Sequence, residues 1–211
     1  MNRDSLTLYG ITDRLCLKND IGLTEAVVEA IEGGVTMIQL REKKLKGTEL
    51  LHLAKDIQSI CKKYQIPFII NDDVMLAKEI DADGVHVGQS DMACTEARRI
   101  FSSGKIVGVT AKTVEQAVAA EKAGADYLGS GALFGSETKT DAVYMTKETF
   151  SSIIQAVKIP VVGIGGINRD NASELSGLGA SGIAVVSGIF GAWDIRKASE
   201  ELRSIADRVR R

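Results

Sequence analysis

An α/β fold, a single closed (β/α)8 barrel over residues 1–211, is predicted by three observations in the sequence. Eight apolar runs of strand length alternate with amphipathic segments of helix length, with no linker or low-complexity stretch between them. Sequential parallel strands joined by right-handed crossovers can close at that count. No G-x-G-x-x-G follows the first run, as an open doubly wound sheet would favour. A faint echo recurs at every second run: G-V-T-M-I-Q from Gly34, A-D-G-V-H-V from Ala82, A-D-Y-L-G from Ala125 and A-S-G-I-A-V from Ala180. Alternate strands of a barrel fill the same interior layers, which gives two-unit repetition a physical reason.

The first strand is placed at residues 6–11 and the first helix at 23–32, where Val27, Val28 and Ile31 share a face at helical spacing. Gly33 and Gly34 close that helix, and the second strand is the apolar run from Val35 into Gln39. Residues 48–64 repeat apolar side chains at Leu50, Leu51, Ala54, Ile57 and Cys61 as a helix does, and the third strand returns at 66–70. A short helix at 74–80, a strand at 84–87, a helix at 94–101 and a strand at 106–109 follow. The pattern then gives a helix at 114–123, a strand at 127–133, a helix at 147–157 and a strand at 161–164. A seventh helix at 170–178, a strand at 183–186 and a last helix at 195–209 complete it.

Lysine and arginine number 26 against 28 aspartates and glutamates, a formal charge of −2, so the chain carries no electrostatic footprint for nucleic acid or an anionic membrane. The basic residues from Arg196 onward interleave with Glu200, Glu201 and Asp207 and read as an exposed helix face. Cys16, Cys61 and Cys94 are odd in number, widely spaced and free of any C-x-x-C, which argues against a disulfide framework or a zinc site. The first residues form no apolar leader, and no apolar run approaches the ~18 residues of a membrane span. A cytoplasmic protein with idle thiols is expected. Trp193 and the last helix could form a homo-oligomer interface, with a packed lone tryptophan as the alternative.

Parallel α/β folds keep their sites at the C-terminal ends of strands, and these ends are rich in polar residues here. Gln39, Leu40, Arg41, Glu42 and Lys43 set an amide, a guanidinium and an ammonium directly after the second strand. The third exit supplies Asn71, Asp72 and Asp73, the fourth His86, Gln89 and Asp91, and the fifth Thr110. The sixth leads to Ser136, Glu137, Thr138 and Lys139, the seventh ends in Gly163, Gly165 and Gly166, and the eighth in Val186, Ser187 and Gly188. Helix capping would explain Asn71, Asp73 or Asp170 singly, but not seven exits together. Glycines after the seventh and eighth strands suit phosphate held by backbone N–H groups. Asn71, Asp72 and Asp91 offer hard oxygen ligands for Mg²⁺ shared with substrate phosphates, while Arg41, Lys43 and Lys139 match a second anion. No Ser-His-Asp or Cys-His arrangement is available, and His86 reads as a strand-end packing or supporting residue.

Taken together, several motifs resemble the thiamine-phosphate synthase family, also called thiamine-phosphate pyrophosphorylase, over nearly the whole chain. They are Y-G-I-T-D from Tyr9, Q-L-R-E-K from Gln39, I-N-D-D from Ile70, H-V-G-Q from His86 with Asp91, Y-L-G-S-G from Tyr127, E-T-K from Glu137, G-I-G-G-I from Gly163, and Val186 with Ser187. The resemblance implies a TIM barrel and a magnesium-dependent transferase of thiamine biosynthesis, acting on small phosphorylated substrates. It would join hydroxymethylpyrimidine diphosphate to a thiazole phosphate, plain or carboxylated, and release pyrophosphate through a dissociative reaction. It further implies that Gln39, Leu40, Arg41, Glu42, Lys43, Asn71, Thr110 and Lys139 hold the pyrimidine diphosphate, with Arg41, Lys43, Thr110 and Lys139 catalytic. Asp72 and Asp91 would bind Mg²⁺, and Ser136, Glu137, Thr138, Gly166, Val186 and Ser187 the thiazole phosphate.

The sequence departs from the family pattern at Thr110, where serine is usual, and at Gly135 and Ser136, where proline and threonine are typical. Residues 141–145 also diverge, in a stretch that reads as a lid over the site. Two alternatives remain open: a thiazole tautomerase of the same superfamily, and a non-catalytic phosphate sensor. The tautomerase would carry a histidine two residues beyond the strand-five hydroxyl, where this chain has Lys112, and neither alternative needs both carboxylates and a second anion clamp.

Overall fold

The computed structural model describes residues 1–18, 20–101, 104–135 and 144–210. Eight strands form a closed barrel in sequence order, every neighbouring pair parallel. They are β1 (Leu8–Ile11), β2 (Met37–Leu40), β3 (Phe68–Asn71), β4 (Gly84–Val87), β5 (Ile106–Thr110), β6 (Tyr127–Ser130), β7 (Val161–Ile164) and β8 (Gly182–Val185). Around them lie α1 (Leu23–Glu32), α2 (Gly47–Lys63), α3 (Val74–Glu79), α4 (Cys94–Ile100), α5 (Val114–Lys122), α6 (Lys147–Ala156), α7 (Ser187–Phe190) and α8 (Ile195–Val209).

Alternation along each strand divides the apolar residues into two clusters. Leu8, Ile38, Leu40, Phe68, Ile70, Val85, Val107, Leu128, Val161 and Ile183 pack outward against the helices. Tyr9, Ile11, Met37, Ile69, Ile106, Tyr127, Val162 and Ala184 fill the interior, as the layers of a TIM barrel require. Among the described residues no helix is long and apolar enough to cross a membrane.

The sequence echo corresponds to a repeated clasp at the base of the barrel. Thr36, Asp83, Asp126 and Ser181, each just before an even strand, donate their N–H to the carbonyls of Leu8, Phe68, Val107 and Val161, at or near the start of the odd strand before. Three of these residues also return a bond: Thr36 Oγ1, Asp83 Oδ2 and Asp126 Oδ2 accept the N–H of Leu8, Phe68 and Val107 at 3.0, 2.9 and 2.8 Å.

Several expected elements are corrected. The third strand starts at Phe68 rather than residue 66, because Pro67 has no N–H for the ladder. The sixth strand ends at Ser130 rather than residue 133, since Leu133 and Phe134 donate instead to Ile164 and Gly165 and follow the exit of β7. The expected helix at 170–178 is only a 3-10 turn, Ala172–Leu175. Asn171 Oδ1 takes the N–H of Asn168, and Asn168 Oδ1 that of Asp170, both at 2.9 Å, so side chains satisfy the backbone that a helix would have used. The strand expected at 183–186 runs one residue earlier, and Val186 instead caps α7, a helix too short to leave a periodic signal.

Candidate active site

Strand order sorts the polar exits into two arcs of one barrel mouth. The arc from β2 to β5 carries Arg41, Lys43, Asn71, Asp72, Asp91 and Thr110, and the arc of β7 and β8 carries Gly166, Val186 and Ser187. Ser136, Glu137, Thr138 and Lys139 lie outside the described residues, as do Asp141, Ala142 and Val143 of the expected lid. Of that stretch, Tyr144 is exposed, while Met145 is buried and donates its N–H to Ala132.

Arg41 is 9% exposed and held from two sides. Its N–H donates to Thr12 Oγ1 at 3.0 Å, and its Nη1 donates to Asp13 Oδ2 at 2.8 Å. The ion pair fixes one edge of a planar guanidinium, and among the described residues no side chain takes its remaining N–H groups, which suit an anion. Lys43 is exposed next to it. Leu40 packs toward the helices, and Glu42 is turned aside, accepting from Arg14 Nε and from the N–H of Lys44, both at 2.9 Å. Burial alone would raise the Glu42 pKa, but those hydrogen bonds and the Arg14 charge outweigh it and hold the carboxyl below its ordinary value. The side chains of Leu40 and Glu42 are therefore not brought to the mouth.

Asp72 follows β3 in the left-handed region, φ 63°, with its N–H on the His86 carbonyl at 2.8 Å. Asp73 caps α3 by accepting from Leu76 N at 2.8 Å, the structural role that the sequence also allowed. Asp91 is exposed after β4, and one carboxylate oxygen accepts from Gly88 N at 2.7 Å. The donor chemistry suits Mg²⁺: two carboxylates from adjacent strand exits, with no cluster of three or more His, Cys, Asp or Glu among the described residues that would cage an ion by itself.

Beneath this arc runs a chain of hydrogen bonds that the sequence did not reveal. Gln39 Nε2 donates to the Tyr9 hydroxyl at 2.5 Å, Tyr9 and Tyr127 hydroxyls meet at 2.8 Å, Tyr127 meets His86 Nδ1 at 2.9 Å, and His86 Nε2 meets Thr110 Oγ1 at 2.9 Å. Five strands thus share one buried polar network. Glycines make the space: a Cβ on Gly108, the register partner of Tyr127, would lie 2.2 Å from the Tyr127 ring. An inward-facing tyrosine, Tyr127, opposite a strand glycine was the available signal. Asp13 was also missed, since only the fold brings it to Arg41.

On the other arc, Gly166 has φ 67° and a Cβ there would meet the Gly135 carbonyl at 2.1 Å, so only glycine fits. Asn171 Nδ2 holds the Gly166 carbonyl at 2.9 Å. Among the described residues no protein acceptor meets the N–H groups of Gly166, Ser187 or Gly188, which leaves them as donors for an anion. The three cysteines are free thiols. Burial pushes Cys61 up to about 12 and Cys16 up to about 11, so neither is an activated nucleophile.

Residues 8–189 match the model of the family described as thiamine monophosphate synthase. The chain is 48% identical over 199 residues to a thiamine-phosphate synthase of Ruminiclostridium cellulolyticum, covering 94% of each chain. It is 47% identical over 196 residues to one of Clostridium tetani, covering 93% of each. The solved structure of a thiamine phosphate pyrophosphorylase from Pyrococcus furiosus superposes with a TM-score of 0.89 at 44% identity, covering 98% of both chains.

Proposed function

The chain belongs to the thiamine monophosphate synthase family of enzymes, and on that premise we propose that it joins hydroxymethylpyrimidine diphosphate to a thiazole phosphate, releasing pyrophosphate and giving thiamine phosphate. One observation above all supports the reading: a cationic and carboxylate arc and a separate backbone N–H arc share a single mouth, as two different anions require.

Arg41, Lys43 and Asn71 hold the diphosphate, joined by Lys139, while Gln39 and Thr110 orient the pyrimidine ring. Leu40 and Glu42 contribute through their main chain, because their side chains turn away. Gly166, Val186 and Ser187, with Ser136, Glu137 and Thr138, take the thiazole phosphate. Asp72 and Asp91 would hold Mg²⁺, which when bound supplies a Lewis acid that neutralises charge on the departing pyrophosphate.

The protein's own part is electrostatic and positional. The bond between the pyrimidine's exocyclic methylene and the diphosphate oxygen breaks, and its electron pair leaves with pyrophosphate. The Arg41 fork, pre-set by Asp13, and the Lys43 ammonium take up that charge. The ring-stabilised methylene cation is captured by the thiazole nitrogen lone pair, and the barrel mouth excludes water that would intercept it. No step needs a general base or a nucleophilic side chain. The test is to incubate the purified protein with both substrates and Mg²⁺ and to follow thiamine phosphate and pyrophosphate. Absence of product, or undiminished product in excess EDTA, would sink the metal-dependent reading.

A further inference from the structure

We infer that the buried chain from Gln39 to Thr110 is polarised in one direction, holding His86 as the Nε2–H tautomer and forcing the Thr110 hydroxyl to donate into the mouth. His86 is thereby a positioning residue for the pyrimidine diphosphate. The inference rests on the function proposed above only in naming that substrate.

The direction follows from counting hydrogens. Gln39 Nε2 can only donate, so Tyr9 accepts from it. Tyr9 and Tyr127 are 1% and 0% exposed, and each hydroxyl carries one hydrogen. Burial raises both phenol pKa values, so both stay protonated. If Tyr9 donates to Tyr127 and Tyr127 to His86 Nδ1, every buried hydrogen has an acceptor. If His86 instead donates from Nδ1, one tyrosine hydrogen is left buried without an acceptor, an arrangement native interiors avoid. With Nδ1 accepting, the neutral ring carries its hydrogen on Nε2 and donates it to Thr110 Oγ1. Thr110 is half-buried at the end of β5, and among the described residues nothing accepts its own hydrogen. That hydrogen selects an acceptor atom on the substrate, and at the other end Gln39 Oε1 remains to accept from a substrate N–H.

The experiment is long-range ¹H–¹⁵N correlation on the full chain with labelled histidine, at a pH where the rings are neutral. The only other histidine, His52, is exposed and is assigned through His52→Gln. The Nε2–H form is expected for His86, and an Nδ1–H ring or an even mixture overturns the polarity. Tyr127→Phe should release the tautomer preference and raise KM for the pyrimidine diphosphate about tenfold, the equivalent of one hydrogen bond, with KM for the thiazole phosphate unchanged. Equal effects on both KM values would show a merely structural role. Should the wild type show the Nε2–H ring yet make no thiamine phosphate, the relay stands and the assigned substrate falls. If Tyr127→Phe unfolds, the wild-type spectrum still decides the polarity.

Discussion

Gly108→Ala puts the interior packing to a direct test. The added Cβ would lie 2.2 Å from Tyr127 Cζ and 2.4 Å from its hydroxyl oxygen. Carbon atoms rest about 3.5–4.0 Å apart, so the ring must retreat by more than an ångström. It has nowhere to go: Tyr127 is fully buried, with Tyr9 and His86 ring centroids 5.8 and 5.5 Å away. Overpacking of this kind costs about 1–3 kcal/mol. Displacing the phenol also loses two hydrogen bonds at about 1 kcal/mol each, while replacing a strand glycine returns roughly 0.5–1 kcal/mol. A net loss of about 3 kcal/mol lowers the midpoint of thermal unfolding by about 6–12 °C for a chain of this size. Circular dichroism melts of wild type, Gly108→Ala, Tyr127→Ala and the double variant read it out. In the double variant the missing ring makes room, so the alanine at 108 should cost no more than about 0.5 kcal/mol, well short of additivity. A single variant as stable as wild type, or an additive double, would refute the packing argument.

Arg41→Lys keeps the charge but loses the fork, and should lower turnover by about a hundred- to a thousandfold, as removal of one pre-set donor does; a defect confined to thiazole phosphate KM would show that the Arg41 stretch serves the other anion. Asp72→Asn should raise the Mg²⁺ concentration for half-maximal rate at least about tenfold, read by titrating the metal, and an unshifted curve would remove Asp72 from the ligand set. Gly166→Val introduces a branched residue at φ 67° against the Gly135 carbonyl, so thiazole phosphate KM should rise while pyrimidine diphosphate KM holds; equal rises would argue against two separate arcs. Because Glu42 has a lowered folded-state pKa, its stabilisation is present above the unfolded value of about 4.3 and is lost as pH falls through the folded value. Urea titrations of wild type and Glu42→Gln should therefore differ at neutral pH and converge in acid.

The strands were legible because each is a run of apolar residues bounded by turn chemistry, and the mouth was legible because charged residues directly after such runs have no packing role. The places of Arg41, Asp72 and Gly166 at strand exits therefore follow from the chain alone. Tyr9 and Tyr127 were hidden for the opposite reason. They lie within apolar runs, and their hydroxyls meet across 118 positions of sequence, a distance over which periodicity carries no information. The expected helix at 170–178 failed because Asn168 and Asn171 offer side-chain bonds that no hydrophobic pattern registers. The direction of the Glu42 side chain was hidden because Arg14, 28 positions away, claims a carboxylate that strand position alone would have sent to the mouth.

The clasps at the base, where Thr36, Asp83 and Asp126 each close a pair of strands, lie at the far end of the strands from every residue assigned to chemistry. Fastening the ring and recognising what it holds are thus tasks given to different residues. Such a chain can explore new chemistry cheaply: an altered loop after β3 or β4 risks the existing reaction without loosening the closure on which any successor reaction would also depend. The same division makes the scaffold a sound starting point for laboratory selection, with diversity confined to the mouth and the clasps left as they are.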